Sequence, residues 1–331
     1  MRIYQSSLSY NTLKLIAEYA PDIKVNILRS FDLNNDETLE IIASFSEIIN
    51  SIILDSGVWF KFTNPLKYNN SVHSVKTYSE FLKQHSDKFD FYINYDEDFT
   101  EEQRDEFSSL NEENQKYLES KGHNPVPVLH LLDDDLINYY IEQKIKYPVV
   151  AIGSNAIGDP KFNSAVKKLY ENQIRVHAFR IGSSSKLTGL HAWSCDCSSH
   201  AQWTASGRAV FFDRIKNQET ALTFRPFEER TGNLSKDFYQ RHPLVDDFIW
   251  FIEDVVGVEI DDLIMDSNYR TFSNSIYYWW LERYVTLRNS EAPYNIHFDD
   301  IKFDPTNVVL ARLFKNSDNG ESLDEWIAAQ D

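Results

Sequence analysis

Short β-branched and aromatic runs recur along the chain, each followed by a polar stretch whose apolar positions fall at helical spacing. The runs KVNILRSF (24–31), SIILDSG (51–57), DFYINYDE (90–97) and VPVLHLL (126–132) read as strands. So do YPVVAIGS (147–154), RVHAFRIGS (175–183), AWSCDCSS (192–199) and RAVFFD (208–213). Between them, DETLEIIASFSEIIN, SVKTYSEFLKQHSDK, DDLINYYIEQKIK and NSAVKKLYENQ read as helices. Strands that are almost wholly apolar are buried on both faces, and their alternation with helices implies a parallel sheet covered by helices. Eight of them predict an α/β chain with a (β/α)8 TIM-type barrel over residues 1–215. An open doubly wound sheet is the structural alternative.

After about residue 215 the rhythm changes. LVDDFIWFIEDVVGV, SNSIYYWWLERYVTL and GESLDEWIAAQ read as helices, so 216–331 is expected to be a mainly helical C-terminal extension packed on the barrel. The aromatic cluster in FSNSIYYWWLERY reads as helix core in preference to a stacking platform.

Composition narrows the setting. The chain of 331 residues is 42% hydrophobic and 14% aromatic, enough for a large core. No run approaches the roughly 18 apolar residues of a membrane span. MRIYQSSLSYNTLK has no signal-peptide pattern, and the only cysteines are Cys195 and Cys197, so a reducing, cytoplasmic setting without membrane attachment is expected. The formal net charge of −18 weighs against a uniformly phosphate-binding surface. A local basic face near Lys167, Lys168, Arg175, Arg180, Arg208, Arg214 and Lys216, or a protein partner supplying positive charge, would offset it.

In a barrel of this type the reactive groups sit at the carboxyl ends of the strands. Those ends carry Asp55-Ser56-Gly57, Asp96-Glu97-Asp98, His130, Gly153-Ser154-Asn155, Arg180 with Gly182, and Asp196. Each has a plain structural reading as a helix cap or turn former. Asp196 stands apart because it lies inside an apolar run, where a carboxylate is desolvated unless paired. A structural Asp bonded to neighbouring amides or to Arg180 is its alternative. Strand alternation turns Cys195 and Cys197 to the face opposite Asp196, as small buried hydrophobes. Even with His191 and His200, this pair is a weak basis for a metal site, and none is expected. In DSG the glycine allows close backbone approach to a ligand and the serine holds a polar edge. Gly153-Ser154 can cradle a phosphate or planar base through backbone amides. No nucleotide-cofactor fingerprint is present. His130 reads equally as a core histidine and as a substrate contact.

This order of motifs resembles the tRNA-guanine transglycosylase family, closest to the DNA-modifying 7-deazaguanine paralogues of phages and bacterial modification islands. The resemblance spans roughly 24–215 and rests on IILDSG, YINYDED, PVLH, VVAIGSNAIG and HAFRIGS before WSCDCSS. It implies Asp196 as nucleophile and Asp55 as the proton-handling carboxylate. Asp96, Ser56, Gly57, Gly153, Ser154 and His130 would bind the base, with Arg180 assisting. Ser154 stands where the family has a second glycine, and the family's zinc module of three cysteines and a histidine is absent. The implied reaction exchanges guanine in a nucleic acid, DNA favoured over tRNA, for a 7-deazaguanine-type base. A duplex target would have to be flipped out. No cofactor is needed. Two rival functions share these residues. One is a nucleoside or N-glycoside hydrolase using the same carboxylates, and the other a non-catalytic nucleotide-binding barrel.

Overall fold

Eight parallel strands form one strongly curled, TIM-like sheet, buried on both faces. The computed structural model describes residues 1–301 apart from 33–34, 71, 98–103, 214–217 and 225–238. The strands are β1 Arg2–Ser6, β2 Val25–Ser30, β3 Ile49–Asp55, β4 Phe91–Tyr92, β5 Val128–Leu129, β6 Val149–Ile152, β7 Arg175–Ala178 and β8 Ser194–Cys197. Their spatial order is β4-β3-β2-β1-β8-β7-β6-β5. The edge strands approach each other through a parallel bridge, Ile93 with Val126. There the Asn94 N–H donates to the Val126 carbonyl and the Val126 N–H to the Tyr92 carbonyl, each at 2.8 Å.

Helices alternate with the strands: α1 Tyr10–Tyr19, α2 Asn35–Ser44, α3 Val58–Thr63, α4 Val75–His85, α5 Arg104–Ser120, α6 Asp134–Glu142, α7 Phe162–Glu171, α8 Ser184–Leu187 and α9 Ser199–Ala205. Local chemistry fixes several starts. Ser9 accepts the Thr12 N–H before α1, Ser74 and Thr77 form a capping box before α4, and Asp133 accepts the Leu136 N–H before α6.

Alternation along each strand divides the core in two. Ile3, Val25, Ile27, Leu54, Val150, Val176, Cys195 and Cys197 belong to the large core shared with the helices. Tyr4, Leu28, Ile53, Ile93, Val126 and Ala151 form a second cluster inside the curl. The cysteines are buried and unpaired on the face expected of them.

One strand assignment is corrected. The segment 208–213 is not in the large sheet; as β9 (Arg208–Asp213) it forms an antiparallel hairpin with β10 (Gln218–Thr223). The eighth place belongs to the N-terminal β1, which pairs with both β2 and β8. Only the short α9 separates β8 from 208–213, at the lower limit of the ten to twelve residues, roughly, that a parallel crossover needs. β1 is anchored instead from outside: the Ile3 N–H and the Asn26 side-chain amide both donate to Glu282, at 2.7 and 2.6 Å.

Glu282 belongs to the long helix Ser267–Ser290, which packs on α1, α9, β1 and β9. Its Tyr277, Tyr278 and Trp279 are buried in the large core, as the helix-core reading expects. LVDDFIWFIEDVVGV folds as a helix, Val245–Trp250, continued by a π-turn over Phe251–Val256. GESLDEWIAAQ, Arg214 and Lys216 lie outside the described residues. Among the described residues no helix is long and apolar enough to cross a membrane.

Candidate active site at the strand ends

Every site residue picked out from the sequence (Asp55, Ser56, Gly57, Asp96, His130, Gly153, Ser154, Arg180 and Asp196) lines a single cleft of about 530 Å³ at the carboxyl ends of the strands. That size suits one small planar ligand with part of a sugar.

Asp196 projects from β8 toward the inside of the curl and is 5% exposed. Its Oδ2 accepts the Ser6 hydroxyl at 2.7 Å, and its Oδ1 accepts the Arg180 N–H at 2.9 Å. Burial pushes its pKa above the ordinary carboxylate range, while these two donors oppose the shift by stabilising the anion. Arg180 meets it through the backbone because it adopts φ 58, a left-handed conformation costing a non-glycine residue roughly 1–2 kcal/mol. The same turn carries its guanidinium over the Trp59 ring, 4.8 Å from the centroid.

Asp55 ends β3 and is half-buried. Its Oδ2 accepts the Ser30 hydroxyl and the Gly57 N–H, both at 3.3 Å. Burial, reinforced by the negative charges of Asp96 and Asp196, pushes its pKa up to about 7. A carboxyl poised there exchanges protons readily at neutral pH.

Ser56, Asp96 and His130 form a connected set. The buried Ser56 hydroxyl donates to Asp96 Oδ1 at 2.9 Å, and His130 Nε2 lies 3.1 Å from Asp96 Oδ2. Both Asp96 oxygens are therefore engaged by protein. Lys61 lies beside the next carboxylate, Glu97, at 3.3 Å.

Two glycines of the cleft also serve the fold. Gly57, at φ 71, is required by the protein itself: a Cβ there would lie 2.0 Å from the Phe31 carbonyl oxygen. Packing against Phe31 alone therefore demands glycine here, and Gly57 also lines the cleft. The Gly153 N–H donates to the Leu129 carbonyl at 2.9 Å, so that amide does not cradle a phosphate or base. Ser154, exposed at the rim, offers a side-chain hydroxyl from that turn.

Sequence reading missed Ser6, Ser30, Trp59 and His177. Ser6 and Ser30 end strands β1 and β2 and hold the two carboxylates; recognising β1 would have exposed Ser6. Trp59 follows DSG by two residues and is 44% exposed at the cleft. His177 lies inside the curl on β7, with Nδ1 2.8 Å from Ser194 Oγ and Nε2 3.8 Å from Asp196 Oδ1. Burial lowers its pKa to about 3, so at neutral pH this contact is between a neutral ring and a carboxyl group and is no ion pair.

Among the described residues no group of three or more His, Cys, Asp or Glu side chains is placed to hold a metal ion. A scan of protein-family models finds no match to the chain, and a search of curated proteins finds none either.

Proposed function

We propose that the chain is a transglycosylase that exchanges guanine in a nucleic acid, DNA in preference to tRNA, for a 7-deazaguanine-type base. The observation that carries this reading is the pair of differently held carboxylates in one cleft. Asp196 is gripped by two short hydrogen bonds, while Asp55 is loosely held and poised near neutral pH. The motif order that resembles the transglycosylase family supplies the substrate class. In this reading the curled sheet and its edge-to-edge bridge make a complete (β/α)8 barrel. Two buried, unpaired cysteines suit the reducing cytoplasm.

In this mechanism ionised Asp196 attacks C1′ of the target nucleotide, forming an ester bond to the sugar as the bond to guanine N9 breaks. Asp55 delivers a proton to the departing guanine. The deazaguanine then gives a proton to Asp55 as its N9 attacks C1′, and Asp196 leaves as a carboxylate. Atoms and protons balance over the cycle, with no oxidant or reductant. Ser6 and the Arg180 N–H stabilise Asp196 as the anion in which it begins and ends. Asp96, aligned by Ser56 and His130, accepts hydrogen bonds from the base edge, and Trp59 with Arg180 borders its flat face.

The test is base exchange. Purified protein is incubated with guanine-labelled DNA or tRNA and a panel of 7-deazaguanines. Label release that needs an added deazaguanine and vanishes in Asp196→Asn supports the proposal. Release without an acceptor base identifies a glycoside hydrolase, and release from neither polymer removes the reading.

A further inference from the structure

Outside the cleft, a groove of about 570 Å³ runs between α7 and the α8 segment. Its lining includes Asn163, Ser164, Lys167, Ser185, Lys186 and His191 and, among the described residues, contains no carboxylate. That is unexpected in a chain with 51 acidic residues and a net charge of −18. The groove lies in the most basic stretch of the sequence: between 161 and 191 there are six lysines and arginines against the single Glu171. Asn163, Ser164, Lys167, Ser185 and Lys186 are exposed, although the Ser164 hydroxyl donates to the Lys161 carbonyl at 2.8 Å. Burial, and then the nearby Lys167 cation, lower the pKa of His191, while Glu171 and the Gly189 backbone oppose the shift, so both members of the Lys167–Glu171 pair reach this side of the groove. Glu171 meets Lys167 at 3.8 Å in a pair more than half exposed on both sides, an interaction that water and salt weaken.

The groove and the cleft draw residues from the same two chain connections. The turn after β6 gives Gly153 and Ser154 to the cleft and Ile157 and Phe162 to the groove. The turn after β7 gives Phe179 and Arg180 to the cleft and Ile181, Ser185 and Lys186 to the groove. The two pockets are thus linked in sequence through the same two connections.

We propose that the α7–α8 groove is the track for the phosphodiester backbone of the DNA strand whose target nucleotide enters the cleft. Its lysines, the Asn163 amide and the Ser185 hydroxyl match a chain of phosphates, and a described lining without carboxylates lessens the repulsion that the rest of the surface imposes. The proposal rests on the nucleic-acid reading of the cleft and adds the surface that makes it workable for so acidic a chain.

The experiment is the salt dependence of binding of a fluorescent single-stranded DNA oligonucleotide containing guanine. It uses the full chain, the double variant Lys167→Gln/Lys186→Gln, and a control, Lys83→Gln/Lys88→Gln, exposed elsewhere. The groove variant should bind about tenfold more weakly near physiological salt. Its slope of log K against log salt should be shallower by roughly 1.4, about 0.7 for each phosphate of a single strand that no longer meets a lysine. The control should match the parent, and matching circular dichroism melts would verify folding. Parent-like affinity and slope in the groove variant overturn the proposal, yet leave the transglycosylase reading standing if base exchange continues. The expected weakening of binding in a protein that exchanges no base keeps the groove and removes the transglycosylase reading. Binding of poly-glutamate but of no oligonucleotide assigns the groove to an acidic protein and overturns the proposal.

Discussion

The two corners of the cleft treat the same side chain differently. At the β8 corner, Asp196 receives donors at 2.7 and 2.9 Å, one from a hydroxyl on the neighbouring strand and one from a strained backbone turn. At the β3 corner, Asp55 has two donors at 3.3 Å and two carboxylates close enough to raise its pKa. Burial disfavours both anions. At Asp196 hydrogen bonding opposes that effect, whereas at Asp55 neighbouring charge adds to it. A nucleophile must be ionised and aligned before attack, and a proton carrier must titrate near working pH. Under the proposed function, this difference in surroundings would suit Asp196 to the first task and Asp55 to the second without any difference in residue type.

The most severe way to break this contrast is Asp196→Asn. It should lower base exchange by about 10⁴-fold or more and abolish the covalent protein–nucleic-acid adduct seen by denaturing electrophoresis or mass spectrometry. An adduct that persists in this variant would move the nucleophile elsewhere. Asp55→Asn should lower single-turnover guanine release by about 10²–10⁴-fold. In the parent, release should fall as pH rises through about 7, because the proton needed by the leaving base is lost there. That fall should be missing from the variant.

Asp55 also carries a stability signature. Its proton is held up to about pH 7 in the folded chain but is released near pH 4 when unfolded, so its burial lowers stability progressively between those values. Asp55→Asn should therefore be more stable than the parent at pH 8, by about 1–3 kcal/mol after allowance for the open cleft, with the gap closing below pH 4. Denaturant melts at the two pH values measure it. An equal gap at both would show that the carboxyl is not perturbed by its surroundings.

Ser6→Ala sharpens the contrast more gently. Losing one of the two donors to Asp196 should raise the nucleophile's pKa and reduce exchange at pH 6 by about tenfold, with partial recovery at higher pH. A loss independent of pH would make Ser6 a steric support only. The smallest effect belongs to Cys195→Ala. Its side chain faces the helices, so exchange should be unchanged while stability drops by about 1 kcal/mol. A catalytic defect there would mean that the two faces of β8 are coupled.

The alternation of apolar runs and helical spacing was enough to indicate an α/β chain with helices over a parallel sheet. Strand-end chemistry, with the family resemblance, was enough to pick nine residues that meet in one cleft. Both are local properties: a parallel strand must be apolar on two faces, and polar groups at its end have nowhere else to go. The long aromatic helix was legible for the same reason, as its apolar residues outnumber what a solvated face tolerates. Tertiary structure decided what depends on competition for a partner. β1 is a short strand that periodicity does not flag, and it takes its place because β2, β8 and Glu282 receive it, while the more apolar 208–213 pairs with its own hairpin. Likewise, Gly57 answers to Phe31, the Gly153 amide to Leu129, and Asp196 to Ser6 and Arg180. Each of these pairs joins residues far apart in the chain. A one-dimensional pattern gives a residue's preference for burial or exposure, but the partner that satisfies its hydrogen bonds and sets its charge exists only once the sheet has curled.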